Sequence, residues 1–224
     1  MNKFIVATEK LWNVANFNKY CQGEQWLLCT DYKELVGLVI ETKPKYIFFP
    51  HWSWLVTSGI YENYECVIFH MTDLPFGRGA EPLQYLISSG LKETMVSAIK
   101  CVKDVDAGDI YMKRPMSLHG SAEEIYIRCS DIMIDMIKEI VAKELKAEIP
   151  QIGEPTLFTK RTVEDCRIPD IDDLSKVYDW IRMNDAESYP SAFLETDKLR
   201  LEFTKASLIA GCIEANVKIR RVEC

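Results

Sequence analysis

The chain has 224 residues, a length that suits one main globular core with a smaller appended region. Hydrophobic residues make up 48% and charged residues 27%, which is an ordinary globular composition. Its 27 Lys and Arg against 34 Asp and Glu give a net charge of -7, which argues against a large surface that attracts nucleic acid. No apolar run approaches the roughly 20 residues of a membrane span or forms a signal-peptide core, so we expect a cytoplasmic protein without a membrane partner.

Short apolar runs alternate with a helical pattern in the first part of the chain. Runs at 4–7, 26–29, 46–49 and 65–69 each precede polar or turn residues and predict buried strands. Between the second and third runs, apolar residues recur at helical spacing and predict a helix over 32–42. Buried strands that alternate with helices predict the α/β class, with a sheet covered on both faces.

The middle of the chain continues this alternation. Pro82 suits the first turn of a helix that Gly90 ends, and strands are expected over 95–102 and towards Met112. A capping box at Ser121–Glu124 then opens the longest predicted helix, whose apolar residues form one stripe as far as Leu145. The eight cysteines contain no Cys-x-x-Cys pair, so we expect reduced thiols and no metal site.

The character of the sequence changes near residue 150. Turn-forming glycine and proline residues precede a short predicted helix near 174–183, and the segments 199–203 and 217–220 alternate like half-buried antiparallel strands. The sequence therefore predicts a main α/β domain over 1–150 and a small β-rich domain over 151–224.

A histidine and an aspartate lie where the functional groups of an α/β protein are expected. His70 ends the fourth strand, at the edge of an open sheet where ligands bind, and Asp106 lies in a loop 36 residues later. The two can form an acid–base pair if the intervening helix and strand return the chain to this edge. A structural histidine and a turn-forming aspartate are the alternative interpretation.

The segment from His70 to Ile110 resembles the formyltransferases that use 10-formyltetrahydrofolate, a family that includes methionyl-tRNA, sugar and glycinamide ribonucleotide formyltransferases. The family pattern is Asn-x-His-x-Ser-Leu-Leu-Pro, then Arg-Gly-x-x-Pro, then Gly and Thr before a strand, then Leu-Asp-x-Gly-Asp-Ile. The residues in register, without a gap, are His70, Thr72, Leu74, Pro75, Arg78, Gly79, Pro82, Gly90, Thr94, Val105, Asp106, Gly108, Asp109 and Ile110. The resemblance implies a Rossmann-like formyltransferase core with a mostly parallel sheet.

The same resemblance implies roles for particular residues. His70 would stabilise the formyl oxygen or help to remove the proton of the attacking amine, and Asp106 would hold His70 and a water molecule in position. Arg78 and Gly79 would bind the substrate. The residues implied in binding 10-formyltetrahydrofolate are Trp52, Ser53, Trp54, Thr72, Leu74, Pro75, Val102, Lys103, Asp104 and Val105.

One position departs from the family pattern. Ile68 stands where the family has an asparagine that donates a hydrogen bond to the formyl oxygen, and isoleucine has no donor. Our hypothesis is that His51 fills this role as a third catalytic residue, with Ser53 as another candidate in the same loop. Two alternatives stay open: aromatic packing in the 50–54 loop, and a folate-binding or interaction protein that has lost catalysis.

The short, acidic chain favours a small acceptor over tRNA. Similarity to bacterial sugar N-formyltransferases of pseudaminic-acid-type pathways implies a nucleotide-linked amino sugar, such as a UDP-4-amino-4,6-dideoxy sugar of surface-glycan biosynthesis. The segments 177–182 and 189–193 resemble signatures after the core in related enzymes, which makes Arg182 either a contact for acceptor phosphates or a helix C-terminal arginine. Formylation of tRNA or another amine remains the alternative, and a homodimer is expected by analogy only.

Overall fold

The computed structural model describes residues 2–187 and 189–222. By packing, the chain divides into two units that each combine several segments: Met1–Gly79, Met95–Met116 and Ile127–Leu157 form the first, and Ala80–Thr94, Ser117–Tyr126 and Phe158–Cys224 form the second. A functional boundary near residue 150 stays a prediction. No helix within the described residues is long and apolar enough to cross a membrane.

Strands and helices alternate along most of the first 143 residues. The elements are β1 Phe4–Ala7, α1 Leu11–Tyr20, β2 Trp26–Cys29, α2 Tyr32–Thr42, β3 Tyr46–Phe49, α3 Ser58–Tyr61, β4 Glu65–His70, β5 Arg78–Gly79, α4 Pro82–Ser88, β6 Glu93–Lys100, β7 Ile110–Ser117, α5 Ala122–Lys143, β8 Leu157–Phe158, a 3-10 turn at Glu164–Cys166, α6 Leu174–Arg182, β9 Ala192–Glu195, β10 Leu199–Ile209 and β11 Cys212–Arg221.

The main sheet has the strand order β2-β1-β3-β4-β6-β7. Strands β1 to β4 pair in parallel, whereas β4 and β6 pair antiparallel, with His70 opposite Ser97. Every residue of β1 and β3 is buried, as expected for parallel strands covered on both faces. The predicted Rossmann-like core with a mostly parallel sheet is confirmed.

The C-terminal sheet is antiparallel and has the order β11-β10-β9. Helix α6 is capped by Asp173, whose carboxylate accepts hydrogen bonds from the backbone N–H groups of Ser175 and Lys176. Ile181 of the helix shares a buried apolar cluster with Ile168 and Ala192. This sheet confirms the expected β-rich C-terminal region.

Local sequence patterns predict most element bounds closely. Strand β6 begins two residues earlier than expected and ends at Lys100, so that 101 and 102 belong to the following loop. Helix α1 and strand β9 are not predicted from the sequence. Helix α1 gives a weak signal because its N-cap residue Lys10 makes no side-chain cap and only Asn13 and Phe17 are buried.

Candidate active site

Strand β4 ends in a buried histidine at the carboxyl edge of the parallel strands. The His70 residue is 7% exposed, and its Nε2 atom lies 2.7 Å from the carbonyl oxygen of Gly77. Because a carbonyl oxygen can only accept, this contact places a proton on Nε2. The turn from 71 to 77 therefore folds back over the imidazole and orients it.

The structure brings Asp106 to the other side of the same ring. Its Oδ2 atom lies 3.4 Å from His70 Nδ1, and both side chains are about nine-tenths buried. The same oxygen accepts a hydrogen bond of 2.9 Å from the backbone N–H of Gly79. Asp106 has a φ of 50°, a left-handed conformation that is uncommon outside glycine. The Asp106 carboxylate thus lies between the imidazole of His70 and strand β5.

A glycine lets the aspartate loop approach strand β6 closely. A Cβ atom at position 108 would lie 1.9 Å from the backbone oxygen of Lys100, so no side chain fits there without movement of the backbone. The next residue accepts through its backbone oxygen a hydrogen bond of 2.9 Å from the N–H of Lys100. The loop from 101 to 109 is thereby closed against the end of β6.

The loop after β3 carries His51, and the hydrogen bonds of its ring fix its tautomer. His51 Nδ1 accepts a hydrogen bond of 3.0 Å from the indole N–H of Trp12 and lies 3.1 Å from Asn13 Nδ2. An indole N–H only donates, so Nδ1 carries no proton and the neutral ring is protonated at Nε2. His51 is half-buried, and desolvation of its ring, helped by the nearby Lys10 charge, lowers its pKa to about 3. His51 is therefore a neutral hydrogen-bond donor at physiological pH.

His51 follows β3 and His70 ends β4, and these two strands are parallel neighbours. Phe49 of β3 pairs with Ile68 of β4, and each histidine lies two residues beyond that pair in its own segment. Ile68 packs against Leu74, Ile99 and Ile110 in an apolar cluster. No polar side chain stands at the position of the family asparagine.

The other residues predicted to bind folate lie in three segments that differ in burial. Trp52 and Trp54 pack at 4.8 Å between ring centroids, and Ser53 Oγ donates to a carboxylate oxygen of Glu9 at 2.7 Å. The loop residues Val102, Lys103, Asp104 and Val105 are exposed. Thr72 and Leu74 are buried and Pro75 is half-buried, so that the first two shape the turn rather than face solvent.

Arg182 is buried within the second unit. It is 4% exposed, its Nε donates to Asp179 at 2.6 Å, and its Nη1 donates to the carbonyl oxygens of Leu118 and Gly120 at 2.7 and 2.9 Å. These contacts are those of a structural arginine near the C-terminal end of α6, and the contact with acceptor phosphates stays a prediction.

Two residues beside the site are missed by the sequence analysis. Gln151 contacts Arg78 and the Asp106 loop, and Thr156 accepts through Oγ1 a hydrogen bond of 2.6 Å from the backbone N–H of Gly77. Both lie in a segment without periodic secondary structure, where no apolar pattern marks them. Among the described residues, no group of three potential ligands is placed to hold a metal ion.

Comparison with known proteins identifies the class. A family model described as the C-terminal domain of methionyl-tRNA formyltransferase matches residues 163–220. A solved structure described as methionyl-tRNA formyltransferase from Clostridium thermocellum is 45% identical, with a TM-score of 0.94, and the match covers 99% of this chain and 100% of that one. The fold and the similarity over the whole chain define a folate-dependent type of transferase. The chain belongs to the formyltransferase family.

More distant relatives are similar to this chain over part of their length or in the fold alone. The methionyl-tRNA formyltransferase of Clavibacter michiganensis is 29% identical over 152 residues, which cover 62% of this chain and 46% of that protein. The chain spans about half the length of the curated relatives it matches. Two solved structures share the fold at lower identity. One is HypX from Aquifex aeolicus in complex with tetrahydrofolic acid, which is 18% identical with a TM-score of 0.73, and the match covers 91% of this chain and 37% of that one. The other is a likely sugar N-formyltransferase from Mycobacterium tuberculosis, which is 17% identical with a TM-score of 0.67, and the match covers 88% of this chain and 93% of that one. The formyl donor of the family is 10-formyltetrahydrofolate.

Proposed function

We propose that this chain transfers a formyl group from 10-formyltetrahydrofolate to a primary amine. The observation that carries the proposal is the buried His70–Asp106 pair at the carboxyl edge of the sheet, 3.4 Å apart, in a chain of this family. When bound, the folate supplies an activated formyl carbon. The amine nitrogen bonds to that carbon and the bond to folate N10 breaks, so one proton must leave the amine and one must reach N10.

His70 is the group proposed to move the proton: Nδ1, the ring nitrogen without a proton while Nε2 donates to Gly77, accepts it from the amine and returns it to folate N10. Asp106 faces its Nδ1 and stabilises the positive charge that the imidazole acquires when it accepts a proton, while the Gly77 carbonyl keeps the ring in one orientation. The backbone N–H of Gly79 donates a hydrogen bond to the same carboxylate and fixes its position beside the ring. The pair can therefore act as an oriented acid–base group.

His51 is proposed to donate the hydrogen bond that Ile68 cannot. Its Nε2 carries the proton because Trp12 occupies Nδ1, and its low pKa keeps the ring neutral. Removal of one such donor commonly lowers the rate about 100-fold to 1000-fold. We expect that loss in kcat for His51→Ala, measured with a saturating amine, and His119→Ala is the matched control because its side chain is exposed. A normal turnover of His51→Ala would refute the assignment.

The loops around the pair fit a folate. The indole N–H of Trp52 is buried and has no hydrogen-bond acceptor among the residues that the structure describes. A carbonyl or ring nitrogen of a pteridine could satisfy such a donor. The exposed residues 102–105 directly precede Asp106, where their peptide groups could pair with the polar edge of the same ring. These features support the loops at 51–54 and 102–106 as the folate slot.

Two acceptors are supported by different observations. The names of the similar proteins favour the amino group of methionyl-tRNA, so the expected absence of a nucleic-acid partner has no support from the comparisons. The charge favours a nucleotide-linked amino sugar, because residues 158–222 carry 11 Lys and Arg against 12 Asp and Glu. A tRNA-binding surface needs clustered positive charge to displace phosphate counterions.

A mass-spectrometric assay tests the reaction and the acceptor together. The protein and 10-formyltetrahydrofolate are incubated separately with initiator methionyl-tRNA and with UDP- and dTDP-linked 4-amino sugars. We expect the mass of one formyl group to be added to one of these acceptors. If folate binds but no acceptor gains a formyl group, the chain is a folate-binding protein without this catalysis.

A further inference from the structure

The side chain of Gln151 joins the two loops that hold the catalytic pair. Its Oε1 atom accepts hydrogen bonds from Nε and Nη2 of Arg78 at 3.1 and 2.7 Å. Its Nε2 atom donates to the backbone oxygens of Asp106 and Gly108 at 2.8 and 2.9 Å. The four contacts use both donors and the oxygen of the amide.

These partners allow only one orientation of the amide. Arginine can only donate and a carbonyl oxygen can only accept, so exchange of the amide oxygen and nitrogen would leave every contact repulsive. A carboxylate could replace the oxygen but not the donors, and an apolar side chain could replace neither. Glutamine is thus chemically matched to this position.

The bond to the Asp106 oxygen acts on an uncommon backbone conformation. Asp106 has a φ of 50°, which for a residue with a side chain costs on the order of 1 kcal/mol. That conformation carries the carboxylate towards both His70 Nδ1 and the N–H of Gly79. A side chain that fixes the carbonyl of Asp106 therefore also fixes where its carboxylate lies.

The segment that carries Gln151 is itself anchored on both sides. Ile149 exchanges two backbone hydrogen bonds with Ile110, of 2.7 and 3.3 Å, at the start of β7. Thr156 binds the N–H of Gly77 through Oγ1 and the N–H of Arg78 through its backbone oxygen. The carbonyl of Gly77 in turn contacts His70 Nε2. The segment 149–156 therefore contacts the loop that orients His70 and the loop that carries Asp106.

We propose that Gln151 is a positioning residue for formyl transfer, which holds Asp106 in its left-handed conformation against His70 and ties that loop to Arg78. The effect on rate rests on the proposed function. The effect on the geometry of the His70 ring does not, so the two are tested separately.

Two substitutions separate the parts of the amide. Gln151→Glu keeps an oxygen for Arg78 and removes both donors to the Asp106 loop, whereas Gln151→Met removes all four contacts without adding charge. We expect kcat to fall about 10-fold to 100-fold in both, since a displacement of about 1 Å in a catalytic group costs that much. The KM for folate should change less than kcat. Glu154→Gln, an exchange of the same kind at an exposed position of the same segment, is the control.

Nitrogen NMR of the histidine rings gives a readout that does not depend on activity. The chain has 3 histidines, so 15N-labelled histidine yields few signals to assign. In Gln151→Glu we expect the His70 ring signals to move in the same direction as in Asp106→Asn, with His119 unchanged. A merely structural role would lower the melting temperature without this selective shift.

Two results would overturn the proposal. One is wild-type kcat in folded Gln151→Glu and Gln151→Met proteins, and the other is wild-type His70 signals in both. If neither variant folds, Gln151→Asn keeps the amide but shortens the side chain so that it cannot reach both loops, and wild-type kcat and His70 signals in that variant would also overturn the proposal. If the wild-type protein formylates no acceptor, the proposed function fails while the NMR result still decides the role of Gln151.

Discussion

At the residue level, the negative charge of Asp106 can be removed by a substitution that keeps the size of the side chain. Asp106→Asn keeps an oxygen for the N–H of Gly79 and removes the negative charge that faces His70. We expect single-turnover formyl transfer to slow about 100-fold to 10000-fold, the usual range for loss of acid–base catalysis. Asp109→Asn in the same loop is the control, since its side chain is exposed. Equal rates for the two variants would remove Asp106 from the catalytic machinery.

At the same scale, the low pKa of His51 predicts a dependence of stability on pH. An unfolded histidine has a pKa of about 6.5, whereas burial lowers that of His51 to about 3. Between these values the unfolded chain binds a proton that the folded chain does not. The free energy of unfolding should therefore fall as the pH drops from about 6.5 towards 3, by at most about 1.4 kcal/mol per pH unit.

Urea unfolding at pH 7 and at pH 4.5 measures this effect. His51→Gln should lose less stability than the wild-type chain between the two pH values, because it has no group to protonate. His119→Gln, at an exposed position, should behave like the wild type. Parallel losses in the wild type and His51→Gln would show that the ring is solvated and titrates normally.

At the scale of elements, two glycines with opposite surroundings test how tightly the aspartate loop is packed. A Cβ at Gly108 would clash with the backbone of Lys100, whereas a Cβ at Gly37, inside α2, would meet nothing within 4 Å. We expect Gly108→Ala to destabilise the protein by at least about 2 kcal/mol. Gly37→Ala should stabilise it by about 0.5–1 kcal/mol, because alanine loses less conformational entropy in a helix.

Thermal unfolding of both variants measures the difference. A Gly108→Ala protein with the wild-type melting temperature would mean that the loop from 101 to 109 can move away from β6 at little cost. The placement of Asp106 would then depend on Gln151 and Gly79 alone.

At the scale of the whole molecule, charge predicts weak binding to polyanions. The net charge is -7, so non-specific attraction to phosphate backbones should be small. We expect the protein to pass through a heparin column at about 0.15 M salt, where the screening length is roughly 8 Å. Retention under these conditions would reveal a local basic surface and would favour tRNA as the acceptor.

Apolar periodicity, caps and short motifs are local properties, and for that reason the α/β class, most strand and helix bounds and the two residues of the proposed pair can be predicted from the sequence. The burial of Arg182, the tautomer that Trp12 imposes on His51 and the link that Gln151 makes between the loops of Arg78 and Asp106 follow from the way the chain folds in space. Those contacts are side-chain hydrogen bonds between residues 39 to 73 positions apart. Such bonds depend on where the backbone passes in space and leave no period in the sequence.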